Sequence, residues 1–302
     1  MEKVMKIDVH AHADLCGGRE IPRFNGDRFA TPEELRVMYK KLGIDRGVLL
    51  PLVNPEFFSI QSNEQAYEAT QKHPDLLFWF CSLDPRMAYN SPRTNFSYFI
   101  EHYKMLGAKG VGELLPNVPT DGELMDNLFY HCAECDMPVT IDISPDDRVF
   151  GHYGIQDSLG LPRLERMLKK HKKLKIIGHS PMFWSLISGD VTKETMHSYP
   201  PGKITPGGPL FRLMREYEYL YADLSAGSGG NAMMRDTEAS CKFIEEFQDK
   251  LMFGTDICSP NDDMPLSFWL DDVAEKGLIS ETAYKKVCRL NAIRILRLEN
   301  IT

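Results

Sequence analysis

The stretch at residues 6–12, which reads K-I-D-V-H-A-H, decides how the whole chain is interpreted. It places His10 and His12 two positions apart at the end of an apolar run that contains β-branched residues. In a β-strand, residues i and i+2 lie on the same face, so these two imidazoles can bind one metal ion. An H-x-H triplet by itself is weak evidence, because such pairs also occur in turns and on surfaces.

Other strand-like runs also end in potential metal ligands. G-V-G-E ends at Glu113, K-I-I-G-H ends at His179, and L-M-F-G-T-D ends at Asp256, while Asp142 lies near the end of the run at 139–143. Taken alone, Asp256 would fit a helix N-cap equally well. Structural needs do not readily explain why several such residues follow apolar runs.

Eight short apolar runs alternate with amphipathic segments from one end of the chain to the other. The runs cover residues 4–9, 47–53, 76–82, 110–114, 139–143, 174–178, 220–224 and 251–254. Helices are predicted from Thr31-Pro32-Glu33-Glu34 to Gly43 and at 63–72, 96–106, 123–135, 161–171, 209–217, 238–248 and 281–297. This pattern, with no long linker, favours a single α/β domain over residues 1–302, a (β/α)₈ TIM barrel, rather than a doubly wound sheet.

The barrel prediction brings the candidate ligands together. Active sites of such barrels lie at the carboxyl ends of the strands and in the loops that follow. His10, His12, Glu113, His179 and Asp256 all come at or just after a strand end in this scheme. We therefore expect them to share one rim of the barrel.

Composition and charge narrow the choice of partners and compartment. The chain has 302 residues, with 35 basic and 43 acidic residues and a net charge of -8, which argues against nucleic acid or an anionic membrane as a partner. The charged N-terminus lacks the apolar core of a signal peptide, and seven cysteines, an odd number, suit a reducing compartment. We expect a cytoplasmic protein that acts on a small-molecule substrate.

The sequence resembles the amidohydrolase superfamily, and within it the amidohydrolase-related branch that contains hydrolases, lactonases and aminocarboxymuconate-semialdehyde-type decarboxylases. The resemblance spans the chain. It is carried by D-V-H-A-H at 8–12, I-I-G-H-S at 176–180, Y-A-D-L-S at 221–225, F-G-T-D at 253–256 and N-A-I-R-I-L at 291–296.

The resemblance implies a role for each matching residue. His10 and His12 would be first-strand metal ligands, and Asp256 would be the eighth-strand carboxylate that contacts the metal and takes a proton from water. His179 is similar to the sixth-strand histidine that binds a second metal or contacts the substrate or water. The implied cofactor is a divalent metal, with zinc expected, as one or two ions.

One position departs from the family pattern. The fifth strand usually presents a histidine, but here M-P-V-T-I-D places Asp142 at that point. Glu113, which resembles the fourth-strand glutamate of TatD-type hydrolases, could complete a two-metal site with Asp142 and His179. Alternatively, His152 in the loop F-G-H-Y-G could supply the missing imidazole. We prefer Glu113, because a strand end is held more firmly than a loop.

The predicted function is metal-dependent hydrolysis of an amide, ester or lactone, with Asp256 and His179 as the catalytic residues. The alternative is a nonoxidative decarboxylase of a small aromatic or unsaturated acid, and a third hypothesis is a barrel that binds a ligand without catalysis. We also expect a homodimer, because residues 268–270 (F-W-L) offer apolar surface, although they could equally cover the barrel.

Substrate contacts are harder to predict. Arg19, Arg23 and Arg28 could clamp a carboxylate, but salt pairing within their own loop is the favoured interpretation. The segment 181–206 is either a lid or a solvated connection. Further candidates for the rim are Asn54, Arg86, Arg148, Tyr153 and Trp184.

Overall fold

The computed structural model describes residues 4–23, 25–147 and 151–298. Within these ranges the strands, numbered in chain order, are β1 (Lys6–Ala11), β2 (Ile44–Leu49), β3 (Leu77–Trp79), β4 (Val111–Leu114), β5 (Val139–Pro145), β6 (Ile155–Asp157), β7 (Ile176–His179), β8 (Leu220–Asp223) and β9 (Leu251–Met252). Eight of them fall on the predicted apolar runs. The short strand β6 is an addition that the sequence pattern does not predict.

The strands form a ring of parallel neighbours. One sheet has the order β1-β2-β3 and the other β4-β5-β7-β8-β9, while β6 pairs with β5 beside this path. Backbone hydrogen bonds join the two sheets at both seams: Gly112 N donates to Cys81 O at 2.8 Å, and Val9 N donates to Phe253 O at 3.1 Å. Parallel bridges between Cys81 and Val111 and between Ala11 and Ile257 mark the same seams. The predicted (β/α)₈ barrel is confirmed.

Helices follow most of the strands. They lie at Pro32–Leu42, Asn63–Lys72, Met87–Asn90, Phe96–Met105, Glu123–Glu134, Pro162–Lys170, Pro181–Ser185, Pro209–Glu216, Ala226–Met234, Thr237–Glu246, Pro265–Glu275, Glu281–Lys285 and Asn291–Leu296, with a π-helical stretch at Lys286–Leu290. The first helix begins with a capping box, in which the Thr31 hydroxyl accepts from Glu34 N and the Glu34 carboxylate accepts from Thr31 N.

The helix Ala226–Met234 is one that sequence patterns did not predict. Its sequence, A-G-S-G-G-N-A-M-M, has low helix propensity because it contains three glycines. A Cβ placed on Gly229 would lie 2.4 Å from the carbonyl carbon of Leu224. Glycine is therefore needed for this helix to pack directly against the chain that leaves β8.

The interior of the barrel is an apolar cluster that the last helix completes. It contains side chains from five strands and from the residues just after β2 and β3, namely Ile7, Val9, Val48, Leu50, Phe80, Ile177, Tyr221 and Met252. Ala292, Ile295, Leu296 and Leu298 join the same cluster. The end of the predicted final helix therefore covers the barrel interior.

Two segments that the sequence analysis placed at the surface, 181–206 and 268–270, are partly buried. Pro181–Ser185 forms a helix, and Leu186 and Ile187 are fully buried. The first part of the segment 181–206, for which a lid and a solvated connection were both considered, therefore belongs to the core. In the segment offered for self-association, Leu270 is buried while Phe268 is 48% exposed, and dimerisation stays a prediction. No helix in the described ranges has the length and apolarity that crossing a membrane would require.

Replacing Leu296 with alanine tests the role of the last helix. Leu296 is 1% exposed, so Leu296→Ala should lower the free energy of unfolding by about 2–5 kcal/mol through the cavity it leaves. Leu290, in the same C-terminal helical segment, is 48% exposed, and Leu290→Ala should change stability by less than about 0.5 kcal/mol. Urea unfolding followed by circular dichroism measures both, and equal losses would contradict the packing described here.

Candidate metal centre

Strand pairing brings the predicted ligands to one end of the barrel. Asp142 on β5 is the direct register partner of His179 on β7. At the seam between β1 and the chain that follows β9, Asp256 N donates a 2.7 Å hydrogen bond to His10 O. Residues that are far apart in sequence therefore share one rim, as the sequence predicted.

The first group of candidate ligands consists of His10, His12 and Asp256. The Asp256 Oδ1 atom lies 3.3 Å from His12 Nε2 and 3.6 Å from His10 Nε2. One ligand atom from each residue falls within 4.8 Å of the others, which is close enough to hold one metal ion. Asp256 also keeps 25% of its side chain exposed, whereas both histidines are buried.

The second group consists of Glu113, Asp142 and His179, and its ligand atoms also lie within 4.8 Å of one another. Glu113 reaches both groups: its Oε2 lies 3.5 Å from His10 Nε2, and its Oε1 lies 3.9 Å from His179 Nε2. His152 lines the nearby cavity, but it belongs to neither group among the residues that the structure describes. Glu113 is therefore grouped with the other candidate ligands, and its role in place of a fifth-strand histidine stays a prediction.

Asp223 orients two of the three histidines, a role that sequence reasoning missed. Its Oδ2 accepts from His10 Nδ1 at 3.0 Å and its Oδ1 accepts from His179 Nδ1 at 2.9 Å, since an ionised carboxylate only accepts hydrogen bonds. Each histidine then presents Nε2 as its free ligand atom. The sequence feature that could have indicated this role is the position of Asp223 near the end of a strand-like run, like that of the predicted ligands.

His12 is oriented by the backbone instead of by a carboxylate. Its Nδ1 donates a 2.8 Å hydrogen bond to Leu50 O at the end of β2, which leaves Nε2 facing Asp256 and Glu113. Because a carbonyl oxygen can only accept, this bond fixes the tautomer of the neutral ring. All three imidazoles thus present the same ring nitrogen to the cluster.

The pKa values show how strongly these groups act on one another. Burial alone would raise the pKa of Glu113, but His10, His12 and His179 hold it below its ordinary value. Burial alone would lower the pKa of His12, but Asp256 and Glu113 outweigh that effect and raise the pKa to about 9. Burial, with the charges of Glu113 and Asp256, raises the pKa of Asp142 well above its ordinary range.

Within the part of the chain that the structure describes, two buried atoms of the cluster have no hydrogen-bond partner: His10 Nε2 and Asp142 Oδ1. Unsatisfied polar atoms in a protein interior are costly, and both of these atoms belong to residues of the candidate ligand groups. A divalent cation would satisfy both atoms and balance the concentrated acidic charge. Imidazole and carboxylate ligands are the donor set that zinc and manganese accept, so the residues fit a divalent metal.

A cavity of about 930 Å³ opens onto the cluster. Its lining includes His12, Glu113, Asp142, His179 and Asp256, together with an apolar wall of Leu52, Phe57, Phe58, Leu115 and Tyr153. The Phe57 and Tyr153 rings meet edge to face, with their centroids 6.0 Å apart. The cavity is large enough for a small organic substrate.

The two arginines of the described cavity lining are in different electrostatic states. Arg86 donates to Glu56 through Nη1 and Nη2, at 2.8 Å each, and to Asp84 through Nε at 2.8 Å and Nη2 at 2.6 Å. These carboxylates neutralise Arg86 and fix its position. Arg23 has a looser ion contact, 3.8 Å from Asp262, and so keeps more capacity to bind an anionic substrate.

The other predicted contact residues have structural partners. Arg28 pairs with Glu34 at the start of the first helix, and Arg19 Nε donates to Cys16 O. Asn54 is buried and donates to Asp84, while Trp184 is buried and donates to the Asp223 carbonyl. Of the rim candidates, Tyr153 and Arg86 line the cavity, and Arg148 lies outside the described residues.

Solved structures share this fold over nearly their whole length. A probable 2-pyrone-4,6-dicarboxylic acid hydrolase from Acinetobacter baumannii, with citric acid bound, is 15% identical, with 98% of this chain and 100% of that chain covered and a TM-score of 0.62. A 2,6-dihydroxybenzoate decarboxylase from Rhizobium is 16% identical, with 98% and 99% covered and a TM-score of 0.57. A 5-carboxyvanillate decarboxylase from Novosphingobium aromaticivorans, complexed with manganese, is 16% identical, with 97% and 96% covered and a TM-score of 0.58.

At these identities the structural likeness shows the fold, and family membership rests on the sequence. No curated protein sequence matches the chain significantly. The family model described as amidohydrolase (Amidohydro_2) matches residues 7–298, which is nearly the whole chain. The chain therefore belongs to the amidohydrolase family of divalent-metal-dependent enzymes, and it shares its barrel with hydrolases and decarboxylases of that family.

Proposed function

We propose that the protein is a metal-dependent hydrolase that cleaves an amide, ester or lactone bond of a small carbonyl substrate. The observation that carries this proposal is the position of Asp256. Its Oδ1 lies 3.3 Å from His12 Nε2, and a quarter of its side chain is exposed (25%), in the cavity where a substrate would bind. One carboxylate can thus serve both the metal group and the reacting molecules.

The ligand set supports one or two divalent ions, and zinc is the ion that we propose. His10, His12 and Asp256 would hold the first ion, while Asp142 and His179 would hold a second, with Glu113 shared between the two groups. When bound, such an ion supplies Lewis acidity, which polarises a carbonyl oxygen and lowers the pKa of water. Manganese, present in the 5-carboxyvanillate decarboxylase structure, is the alternative ion.

The residues around the cavity have distinct tasks in hydrolysis. Asp256 accepts a proton from the attacking water at a carboxylate oxygen and later returns it to the leaving nitrogen or oxygen of the substrate. His179, whose Nδ1 is held by Asp223, has Nε2 as its free ring nitrogen. Nε2 would bind the second ion when two ions are present, and would face the substrate or the water when only one is present. The apolar wall that includes Phe57 and Tyr153 shields the reacting groups from bulk water.

Nonoxidative decarboxylation of a small aromatic or unsaturated acid is the second candidate. Decarboxylases are among the solved structures with this fold, and the aromatic wall with Arg23 nearby suits a planar acid. The same ligand groups would serve either reaction. The choice between them therefore depends on products and not on metal content.

Metal content tests the ligand assignment. Protein purified without chelator should contain a divalent ion, and the double variant His10→Ala with His12→Ala should lose it, because two of the three ligands of the first group are gone. Mass spectrometry of the metals in the purified proteins measures the stoichiometry. His102→Ala removes an exposed histidine on Phe96–Met105 and should leave the metal content unchanged. Undiminished metal in the double variant would refute the assignment.

Asp256→Asn tests the proton carrier. Asparagine is nearly isosteric but cannot accept the proton, so turnover should fall by roughly two to four orders of magnitude while fold and metal are retained. Asp263→Asn, a substitution at an exposed aspartate seven positions further on, should leave turnover unchanged. If a folded, metal-loaded Asp256→Asn enzyme kept near-wild-type turnover, Asp256 would have no part in proton transfer and His179 would become the candidate.

A substrate panel tests the reaction class. The metal-loaded enzyme is incubated with small lactones, esters and amides and with small aromatic and unsaturated acids, and hydrolytic products and carbon dioxide are both measured. Hydrolysis without carbon dioxide release is the expected result. Release of carbon dioxide would favour the decarboxylase, and inactivity on the whole panel by metal-loaded protein would favour a ligand-binding barrel.

A further inference from the structure

We propose that Asp8 is a positioning residue that ties β1 to the chain after β9 and so sets the relative positions of His10 and Asp256. This inference rests on the proposed function, because it assigns Asp8 a role in building the first ligand group. Asp8 lies two residues before His10, and its side chain contacts neither the cavity nor the candidate ligand atoms. It would act through the backbone of the residues that carry them.

Four donors converge on the buried carboxylate of Asp8. Its Oδ1 accepts from His10 N at 3.0 Å and from Thr255 N at 2.9 Å. Its Oδ2 accepts from Tyr39 Oη at 2.8 Å and from Thr255 Oγ1 at 2.5 Å. Because Oδ1 binds an amide from each side of the β1–β9 seam, one atom sets the spacing of the two segments that carry His10 and Asp256.

The residue held by this arrangement has a strained backbone. Asp256 has φ of 58°, in the left-handed region that side chains other than glycine rarely adopt. Such a conformation persists only where surrounding contacts determine it. Here Asp256 N donates to His10 O at 2.7 Å, and Ile257 N donates to Thr255 Oγ1 at 3.1 Å. Thr255, which Asp8 binds through both backbone and side chain, thus anchors the residue next to the strained position.

Helix Pro32–Leu42 supplies the remaining contact, and Gly47 makes room for it. Gly47 on β2 is the register partner of Asp8 on β1. A Cβ on Gly47 would lie 2.1 Å from Tyr39 Oη, so only glycine lets the tyrosine hydroxyl pass across β2 to reach Asp8. Tyr39 therefore orients the carboxylate through Oδ2, and leaves Oδ1 to the two backbone amides.

Two variants distinguish an effect of Asp8 on the positions of the ligands from an effect on stability alone. Asp8→Asn is nearly isosteric but replaces the charged acceptor shared by His10 N and Thr255 N with a neutral group that forms weaker hydrogen bonds. Tyr39→Phe removes a buried hydrogen bond to the same carboxylate while both of those amide contacts remain. If Asp8 has a purely structural role, both variants should differ from wild type only in stability.

The test compares zinc dissociation constants, kcat and KM, and urea unfolding in the two variants and the wild type. We expect Asp8→Asn to weaken zinc binding or lower kcat by about 10–100-fold, as for other residues that orient metal ligands, with KM little changed. Tyr39→Phe should remain within a few-fold of wild type in zinc binding and kcat at a comparable loss of stability. Equal effects in the two variants would overturn the proposal.

A second pair of variants keeps the test decisive if Asp8→Asn does not fold. Like Tyr39→Phe, Thr255→Val removes a donor to Asp8 Oδ2, but it also removes the acceptor of Ile257 N and so breaks the side-chain link from Asp8 to the segment that carries Asp256. Thr255→Ser keeps this link. The valine variant should lose zinc affinity or kcat, and the serine variant should restore it. Wild-type zinc affinity and kcat in the valine variant would contradict the proposal. A wild-type protein that binds no zinc or manganese would instead contradict the proposed function.

Discussion

The structure depends on burying several ionisable groups together at one end of the barrel. The side chains of Glu113, Asp142 and Asp223 are buried together with those of His10 and His179, and isolated charges are strongly disfavoured at such positions. Asp223 satisfies one nitrogen of each of these histidines, yet His10 Nε2 and Asp142 Oδ1 have no hydrogen-bond partner among the described residues. A divalent cation would balance this arrangement, and the proposed chemistry follows from it.

The candidate metal ligands and the apolar core lie at different levels along the barrel axis. Parallel strands place all their carboxyl ends at one rim, so the ligand groups form from residues that are distant in sequence. The interior below them is apolar and is covered by Leu296 and its neighbours in the last helix. At the catalytic rim, β6 brings Gly154 against Asp142, where a Cβ would lie 2.5 Å from Oδ1. That close approach leaves little room for Asp142 to move.

Much of the fold, and the grouping of the candidate ligands at one rim, could be predicted from the sequence because both depend on local patterns. The eight apolar runs, the histidine pair and the strand-end positions of Glu113, His179 and Asp256 are visible without tertiary information. The orienting role of Asp223 is not, since it requires knowing that β8 lies beside β7 and that His10 is within reach. The ion pairs of Arg86 could not be predicted either, because Glu56 and Asp84 lie in two separate loops.

Strict strand alternation does not describe the whole of the segment 6–12. Strict alternation would place Asp8 and His10 on one face, but Asp8 contacts Tyr39 of a surrounding helix while His10 contacts the ligand cluster, and the register with β2 shifts between Asp8 and Ala11. Anomalous X-ray diffraction from crystals of the metal-loaded protein tests the central claim most directly. A metal peak bounded by His10, His12 and Asp256, with a second beside Glu113, Asp142 and His179 at full loading, is the predicted result. Metal-loaded crystals with no peak at this rim would contradict the account.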